Sequence, residues 1–363
     1  MRIGIDCRLA GTKHAGIGRY IENLLRHALT NNNHNWVLFF YDEEQAQLVL
    51  GKLFGLPHVA IIYSPVKHYS VAEQLKMPVY FYQAKLDLLH VPHFNAPLLY
   101  FKPFVVTIHD LLWHQHRGSA VTTLSALQYW LKYFSYRLTV RNAIMRARKV
   151  IVPAKTIKQT VGERFPMAKN KIKVTYEGVE KSLLKTTTEK RKKNTLLYVG
   201  SLYPHKNVRL VIAALHQLPQ YKLELVGSRN IFVKQTQDFI NSLGLQKQVR
   251  FLGYLPDQAL QKKYAQVTAL VQPSLSEGFG LTGVEAMAQG TPILASDIPI
   301  FREIYGDGAI LFNPHKIAAF VAAIKKLETT KLDSLKERAK KIANSYSWQK
   351  MAKQTIFIYE KAL

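Results

Sequence analysis

Cysteine and acidic residues are scarce in this sequence. Its 363 residues include one cysteine, Cys7. This excludes a disulfide framework and a cysteine-based zinc site, and it is typical of a reducing, cytoplasmic compartment. The 24 Asp and Glu residues stand against 50 Lys and Arg, which gives a formal net charge of +26. Such an excess favours polyanionic partners, namely nucleic acid, an anionic membrane surface or phosphorylated substrates.

The chain also lacks long hydrophobic runs. It has no stretch of about 20 uncharged apolar residues, so no membrane-spanning helix is predicted. The N-terminus carries Arg2, Asp6 and Arg8 and no apolar run of about 7–15 residues, so no signal peptide is predicted. Any contact with a membrane is therefore expected at its surface.

Hydrophobic residues make up 48% of the chain, which is enough for the cores of about two domains. Short apolar runs alternate with helical patterns along both halves. These runs are Ile3–Ile5, Val37–Tyr41, Leu88–Val91, Val105–Ile108, Val150–Val152, Ile172–Thr175, Thr195–Val199, Leu223–Val226, Val249–Leu252, Ala269–Val271 and Ile293–Ala295. They predict an α/β protein with two Rossmann-like domains, each a doubly wound parallel sheet. The polar stretch 180–194 is interpreted as the linker between them.

Two loops of the first half follow predicted strands, where open α/β sheets bind their ligands. The segment Gly16-Ile-Gly-Arg-Tyr20 precedes a helix predicted from Tyr20 and is either a ligand loop or only a tight turn. Ile21 replaces the third glycine of a dinucleotide fingerprint, which disfavours an NAD site. In the second loop, His109 either binds a substrate hydroxyl while Asp110 fixes its tautomer, or is a structural histidine.

Two loops of the second half carry charged residues. The loop Gly200–Asn207 places a glycine turn and Lys206 at the start of a helix, a pattern typical of phosphate binding, but it is not a Walker A sequence. The other loop places Glu277 beside a glycine-rich helix start whose amides and dipole favour an anion. Glu285, one turn into that helix, is either a ligand contact or the partner of Thr282 in a capping box.

A metal site is not expected. The sequence contains no Asp-x-Asp, the close pair of carboxylates that a metal clamp on a nucleotide diphosphate would need. No cofactor is predicted either. Neutralisation of a diphosphate is instead expected from Lys206, backbone dipoles and Arg19.

Taken together, these motifs resemble the retaining glycosyltransferases of family 4 (group 1) over nearly the whole chain. The resemblance rests on Gly-Ile-Gly-Arg-Tyr and Ile-His-Asp in the first half, and on Tyr-Val-Gly-Ser-Leu-Tyr-Pro-His-Lys-Asn and Glu-Gly-Phe-Gly-Leu in the second. It implies the GT-B fold, with two Rossmann-like domains facing each other across a central cleft. Residues 1–180 would bind the acceptor and residues 181–345 the nucleotide sugar. Residues 346–363 would form a helix that packs back on the first domain.

The resemblance also implies roles for single residues. The catalytic set would be His109 at the donor sugar, Lys206 at the leaving diphosphate and Glu277 near the reacting centre. Glu285 would hydrogen-bond the ribose, and Gly253 would border the base. The other donor-binding residues that it implies are Gly18, Arg19, Ser201, His205, Phe279, Gly280 and Leu281, the last three through their backbone amides.

The loop sequences resemble the mannosyltransferase-like branch. This implies transfer of a hexosyl group, mannose from GDP-mannose, with retention and without metal. The acceptor would be a saccharide or lipid-linked glycan of cell-envelope polysaccharide or glycolipid synthesis. A UDP-sugar donor and a sugar-nucleotide epimerase remain alternatives. The charge also keeps open a nucleic-acid-binding protein, although the sequence has no zinc-finger spacing, helix-turn-helix signature or RNA-recognition motif. No nucleic-acid partner is therefore expected.

The positive charge is concentrated in residues 117–173, which hold 13 Lys and Arg and one acid, Glu163. A helix predicted there has an apolar stripe expected to face the core, and the stripe consists of Leu124, Leu127, Leu131, Phe134, Leu138 and Met145. Its neighbouring flank carries Trp130, Tyr133, Arg137, Arg141 and Arg148. This flank either contacts an anionic membrane surface or a lipid-linked acceptor, or is a solvated basic face. The expected location is the cytoplasm or the inner face of the cytoplasmic membrane.

Overall fold

The structure, a computed structural model, describes residues 1–11, 14–30, 32–115, 125–184, 189, 191–227 and 232–363. These residues divide into two compact units. The first unit consists of Met1–Leu111, the described part of 124–178, and Ser347–Leu363. The second consists of the described part of 112–123 and Val179–Tyr346. Part of the predicted linker, residues 185–188 and 190, lies outside the described residues.

A parallel sheet forms the centre of the first unit. Its strands are β1 (Arg2–Asp6), β2 (Asn35–Phe40), β3 (Val59–Tyr63), β4 (Leu88–Val91), β5 (Phe104–Thr107), β6 (Lys149–Val152) and β7 (Ile172–Val174). They pair in the order β3-β2-β1-β4-β5-β6-β7, and every pair is parallel. The central strands β4 and β5 are buried at each residue, as expected for a parallel sheet covered on both faces.

The second unit has its own parallel sheet. Its strands are β8 (Thr195–Val199), β9 (Lys222–Val226), β10 (Val249–Gly253), β11 (Ala269–Gln272), β12 (Ile293–Ser296) and β13 (Ile310–Phe312). The strand order is β10-β9-β8-β11-β12-β13, and all pairs are parallel. The chain starts at β8 inside the sheet, adds β9 and β10 on one side, and then returns to add β11, β12 and β13 on the other. This is the doubly wound order, whose ligands bind at the carboxyl ends of the strands.

Helices lie between the strands along the chain. They are α1 (Ala15–Ala28), α2 (Glu43–Leu50), α3 (Val71–Gln83), α4 (Leu112–Gln115), α5 (Ala126–Arg146), α6 (Lys155–Arg164), α7 (Val208–Ala214), α8 (Val233–Ser242), α9 (Asp257–Gln266), α10 (Leu281–Ala288), α11 (Pro299–Tyr305), α12 (Ile317–Thr329), α13 (Leu332–Ser345) and α14 (Trp348–Glu360). Of these, α12, α13 and α14 follow the last strand.

The last helix, α14, belongs to the first unit and packs on α1. The Ser347 hydroxyl caps it by accepting from the Lys350 amide at 3.4 Å. Near its other end, the Tyr359 hydroxyl lies 2.6 Å from His90 Nδ1 in β4. Both Tyr359 and His90 are fully buried, so α14 forms part of the core of the first unit.

The predicted fold class is confirmed, since both sheets are parallel and doubly wound. Strands β3 and β13 were not predicted. Each lies at an edge of its sheet, where β3 is only partly buried and β13 spans three residues. The apolar run of β3, Val-Ala-Ile-Ile-Tyr, was visible in the sequence and was overlooked. The prediction that Gly16–Tyr20 forms a loop is wrong, because α1 begins at Ala15 and includes this segment.

The predicted core stripe of α5 is wrong. Leu127 is 83% exposed, Leu131 71% and Phe134 64%, and Leu138 is also exposed. Helix α5 instead buries a different set, which consists of Tyr129, Tyr133, Val140, Ala143 and Ile144. The helix carries apolar residues on two faces, and spacing alone does not tell which face packs on the sheet. Leu124, the first residue of the predicted stripe, lies outside the described residues.

Candidate active site

Two loops of the second unit meet at the carboxyl edge of its sheet. One follows β8 and the other follows β11, and these strands are paired neighbours in the sheet, so their carboxyl ends lie together. The backbone joins the loops, since the Leu275 amide donates to the His205 carbonyl at 2.8 Å. Lys206 ends a short 3₁₀ turn, Pro204–Lys206, and is therefore held by backbone geometry next to the second loop.

Lys206 and Glu277, the two charged residues predicted from these loops, form an ion pair. Lys206 Nζ donates to Glu277 Oε1 at 2.7 Å, and their side chains are 22% and 15% exposed. The Ser274 hydroxyl donates to the same carboxylate oxygen at 2.8 Å. Two donors thus fix the carboxylate, while the pair keeps enough exposure to meet a ligand. Ser274 was missed in the sequence, where a lone serine after a strand carries no distinctive pattern.

The glycine turn before α10 is packed against Tyr305. Gly280 is the N-cap residue with φ +94°, a left-handed conformation that suits glycine. A Cβ placed there would fall on the Tyr305 hydroxyl, which donates to the Gly280 carbonyl at 2.7 Å. Burial raises the pKa of Tyr305 well above its usual value, so the phenol stays protonated as a donor. The first amides of a helix have no partner within it, so the start of α10 suits an anion.

Glu285 lies inside α10 and is only 3% exposed. The Tyr264 hydroxyl donates to its Oε2 at 3.1 Å. The capping-box alternative is wrong, because Gly280 is the N-cap residue and the Thr282 hydroxyl accepts from Gln272 Nε2 at 2.6 Å. Tyr264 and Gln272 could not be found from the sequence, since they come from α9 and β11 and reach α10 only in the folded chain.

The other residues of the second unit that were predicted to bind the donor substrate lie on the same loops or on β10. The Ser201 carbonyl accepts from the Tyr198 hydroxyl at 2.5 Å. His205 is 6% exposed and Phe279 is 3% exposed, so any ligand contact of Phe279 would come from its amide. Leu281 is the first residue of α10. Gly253 ends β10 with φ +69°, and its carbonyl accepts from the Gly227 amide at 3.0 Å.

In the first unit, His109 follows β5 and is held through both ring nitrogens. Nδ1 lies 3.2 Å from Glu177 Oε1, and Nε2 lies 3.1 Å from the Pro92 carbonyl oxygen. Asp110 was predicted to orient this ring, but Glu177, at 4% exposure, occupies that position. Glu177 comes after β7, at the same edge of the sheet. A search of every strand end for carboxylates would have found it.

Gly18 and Arg19 both lie in α1. A Cβ on Gly18 would strike the carbonyl oxygen of Gly11, so the close approach of the helix to that loop already requires a glycine. The Arg19 carbonyl accepts from Asn23 Nδ2 at 2.9 Å, within the helix. The packing reason for Gly18 is thus independent of any ligand.

Only some residues of the predicted basic flank of α5 are exposed to solvent. Trp130 is 45% exposed, and Arg141 and Arg148 are exposed. Tyr133 is 3% exposed, so its expected place on the surface is wrong; it lies on the buried face of α5, where Arg137 Nη1 donates to its hydroxyl at 2.9 Å. The exposed apolar residues of the helix lie beside this flank.

Neither a metal-binding cluster nor a membrane-spanning helix occurs in the part of the chain that the structure describes. Within the described ranges, no group of three or more His, Cys, Asp or Glu side chains could hold a metal ion. Among the helices of the residues that the structure describes, none is both long enough and apolar enough to cross a bilayer.

Comparison with known proteins identifies the family. Residues 14–183 match the family described as Glycosyltransferase Family 4, and residues 180–348 match Glycosyl transferases group 1. The O-antigen chain mannosyltransferase RfbU of Salmonella typhimurium is 30% identical over 265 residues, which cover 73% of this chain and 71% of that protein. The chain therefore belongs to the family 4, group 1 glycosyltransferases.

Solved structures show the same fold. Sucrose-phosphate synthase from Thermosynechococcus elongatus has a TM-score of 0.77 at 18% identity and covers 99% of this chain and 98% of that chain. HepE from Anabaena, in complex with UDP and glucose, has a TM-score of 0.75 at 19% identity, with 99% of each chain covered. At these identities the likeness concerns the fold alone. The predicted glycosyltransferase class and GT-B-type fold are thus confirmed.

Proposed function

We propose that this glycosyltransferase transfers mannose from GDP-mannose, with retention and without a divalent metal, to a saccharide or lipid-linked glycan of the cell envelope. The observation that carries the proposal is the Lys206–Glu277 pair, with 2.7 Å between Nζ and Oε1, beside the glycine turn of α10. A cation, a carboxylate and a helix N-terminus at one strand edge suit a sugar joined to a diphosphate. Residues 181–345 would bind this donor, and residues 1–180 the acceptor.

The proposed chemistry needs charge stabilisation more than a protein nucleophile. The bond between sugar C1 and the diphosphate oxygen breaks, and negative charge moves onto the diphosphate. Lys206 and the amides of Gly280 and Leu281 would stabilise that charge. The acceptor hydroxyl oxygen bonds to C1 on the same face, and its proton passes to the departing phosphate oxygen. Glu277 would orient the sugar through its hydroxyls. His109 would do so through Nε2, by exchanging its contact with the Pro92 carbonyl for a sugar hydroxyl.

Mannose as the sugar is supported by the name of RfbU, a mannosyltransferase at 30% identity. The buried Glu285, held by Tyr264, would accept from the ribose hydroxyls of the nucleotide. A UDP-sugar is the second candidate, because a carboxylate that contacts only the ribose does not distinguish guanine from uracil. The bases would be distinguished near Gly253, whose neighbour Tyr254 is 56% exposed.

A thermal-unfolding panel tests the donor. GDP-mannose is expected to raise the melting temperature more than UDP-mannose, UDP-glucose or UDP-galactose, and equally with EDTA or with added Mg²⁺. NMR of the product should show the same anomeric configuration as the donor. Inversion would contradict the retaining mechanism, a requirement for Mg²⁺ would contradict metal independence, and a larger response to a UDP-sugar would select the second candidate.

We also propose that the protein associates with an anionic membrane surface through α5. Residues at positions i, i+3, i+4, i+7 and i+11 share one helix face, and here that face consists of Leu127, Trp130, Leu131, Phe134 and Leu138, which are 83%, 45%, 71%, 64% and 58% exposed. Arg137 and Arg141 flank it. Apolar residues bordered by cations are typical of helices that lie in a bilayer interface, and this surface would bring the enzyme to lipid-linked acceptors.

A further inference from the structure

We propose that Tyr69, His93 and Phe94 form a stacking platform for one sugar ring of the acceptor, next to His109 in the first unit. This inference rests on the proposed function, because an acceptor sugar presupposes transfer to a saccharide. It goes further by naming the residues that would bind the acceptor and the apolar ring face that they would recognise.

The three residues come from neighbouring loops at one edge of the first sheet. Tyr69 lies in the loop between β3 and α3, immediately before Ser70, the N-cap residue of α3. His93 and Phe94 follow β4, and His109 follows β5. All these strands are parallel, so their carboxyl ends lie at the ligand-binding edge.

Tyr69 has a strained backbone that a buried network holds in place. Its φ is +59°, a left-handed value that is uncommon for a bulky side chain. Its amide donates to Glu73 Oε2 at 2.8 Å. Glu73 is itself fully buried, and its other oxygen accepts from Arg8 and Asn95, each at 2.7 Å. Strain of this kind persists only where surrounding structure enforces it, and it is concentrated at ligand sites.

The strained backbone presents an aromatic ring to solvent. Tyr69 is 54% exposed, although its ring packs 5.6 Å from His93 and 5.8 Å from Phe94, centroid to centroid. The Tyr69 hydroxyl lies 3.2 Å from His93 Nδ1. The His93 ring stacks at 26° on His109, with 6.4 Å between centroids. The aromatic surface therefore leads directly to the histidine assigned to the reacting sugar.

The chemistry of this surface suits an uncharged sugar. A pyranose has a face of C–H groups that packs on aromatic rings, and the exposed Tyr69 ring with the half-buried Phe94 beside it offers such a surface. His93 is 8% exposed, so it supports the Tyr69 ring from below. Burial lowers the pKa of His93 to about 3, so its ring is neutral at physiological pH. The proposed diphosphate-binding elements lie in the second unit, so this neutral surface matches the acceptor sugar better than the donor's diphosphate.

Two substitutions at position 69 separate the ring from the backbone. Y69G removes the ring but tolerates the left-handed φ, so it is expected to fold as well as the wild type. Y69F keeps the ring and loses only the hydroxyl. The probes are methyl glycosides of mannose, glucose, galactose and N-acetylglucosamine, observed by saturation-transfer NMR on the full chain. GDP-mannose binding is followed separately by thermal unfolding.

The wild type is expected to transfer saturation to at least one glycoside, Y69F to retain its affinity, and Y69G to weaken it about tenfold with an unchanged GDP-mannose response. Equal binding of that glycoside to Y69G and the wild type would overturn the platform, as would the absence of any glycoside signal in the wild type. If glycosides bind through Tyr69 while GDP-mannose has no effect, the proposed donor is wrong and the platform stands.

Discussion

Arg8 and Glu73 form a buried ion pair in the first unit, with 2.7 Å between Nη2 and Oε1 and side chains 1% and 0% exposed. Asp6 contacts the same guanidinium at 2.6 Å. Without Glu73 the guanidinium would still have Asp6, but Asn95 Nδ2 and the Tyr69 amide would lose their acceptor. A buried donor left unsatisfied costs about 1–3 kcal/mol. The pair therefore fixes the β1 end and the start of α3 relative to each other.

We expect Glu73→Leu to lower the free energy of unfolding by about 2–4 kcal/mol, because several buried donors lose their acceptor, measured by urea denaturation. The matched control is Asp333→Leu in α13, which breaks an exposed pair with Lys336 in which Asp333 is 95% exposed. Exposed pairs contribute little, so the control should change the urea midpoint far less. Equal effects of the two substitutions would contradict the structural role of the buried pair.

Substitutions of Lys206 and of Glu277 are expected to change the affinity for GDP in opposite directions. Lys206→Met removes the cation at the diphosphate and should lower kcat with GDP-mannose about 100-fold or more, with weaker GDP binding. Glu277→Gln removes a negative charge beside the diphosphate. It should therefore bind GDP at least as tightly as the wild type while it loses transfer activity. Calorimetry with GDP and a product assay provide the two measurements.

The result that would exclude this arrangement is a Lys206→Met enzyme with GDP affinity and kcat within threefold of the wild type. Lys206→Arg is the control, because it keeps the positive charge and should retain more activity than the methionine variant. Melting temperatures should remain similar, since neither charged side chain is fully buried.

Gly280 is expected to tolerate no side chain. Gly280→Ala adds a Cβ to a left-handed residue, φ +94°, and places it on the Tyr305 hydroxyl. Gly244 is a matched control with φ +67° and no atom within 4 Å of its Cβ position. Gly244→Ala should cost about 1 kcal/mol of strain, whereas Gly280→Ala should cost more and should also weaken donor binding. Equal loss of stability in both would show that Tyr305 does not restrict the turn.

Stability is expected to fall in acid because of two buried histidines. Burial lowers the pKa of His90 and of His93 from 6.5 to about 3. Between these values the unfolded chain takes up a proton at each site and the folded chain does not, so folding weakens as pH falls below 6.5. Each histidine adds about 1.4 kcal/mol per pH unit to this slope.

Urea midpoints measured between pH 7 and pH 5 test this slope. His90→Gln removes one of the two contributions, so the variant should be less stable at pH 7 but lose stability less steeply as the pH is lowered. A slope that is the same in the variant and the wild type would contradict the assignment of His90 as a neutral buried group.

Binding to liposomes is expected to rise with the fraction of anionic lipid and to fall with salt, because each cation near the headgroups contributes about 1 kcal/mol. Arg137→Glu/Arg141→Glu and Leu131→Ser/Phe134→Ser should each reduce co-sedimentation. Leu48→Ser removes a side chain that is 75% exposed on another helix, α2, and should leave it unchanged. Unchanged binding in both α5 variants would exclude this helix as the membrane contact.

The sequence predicted the fold class well because most buried strands contain a short, continuous apolar run, as in β2 and β8. It also predicted the loops that carry Lys206, Glu277 and His109, since charged residues after apolar strands are visible without a structure. Their roles as catalytic residues stay predictions. The partners Ser274 and Tyr305 were not predictable, because each meets its neighbour only in the folded chain. Glu177, a carboxylate after β7, carried a visible signal and was overlooked.

The error in α5 has a different cause. Leu127, Leu131 and Phe134 keep the spacing of a core stripe, but they are exposed, while Tyr129 and Tyr133 are buried. Periodicity shows that a helix has an apolar face, but it does not show which part of the protein packs on that face. Where a helix has two such faces, only the tertiary structure assigns one of them to the core.

Helix α14 sets the order in which the chain can complete its structure during synthesis. The first unit needs Tyr359 beside His90 and the face of α14 on α1, yet these residues are translated after the whole second unit. The first sheet of the nascent chain therefore leaves the ribosome while one side of α1 is still exposed. That side is covered only after α14 has been synthesised. A chain halted at Tyr346 would carry a finished second unit and an unfinished first one.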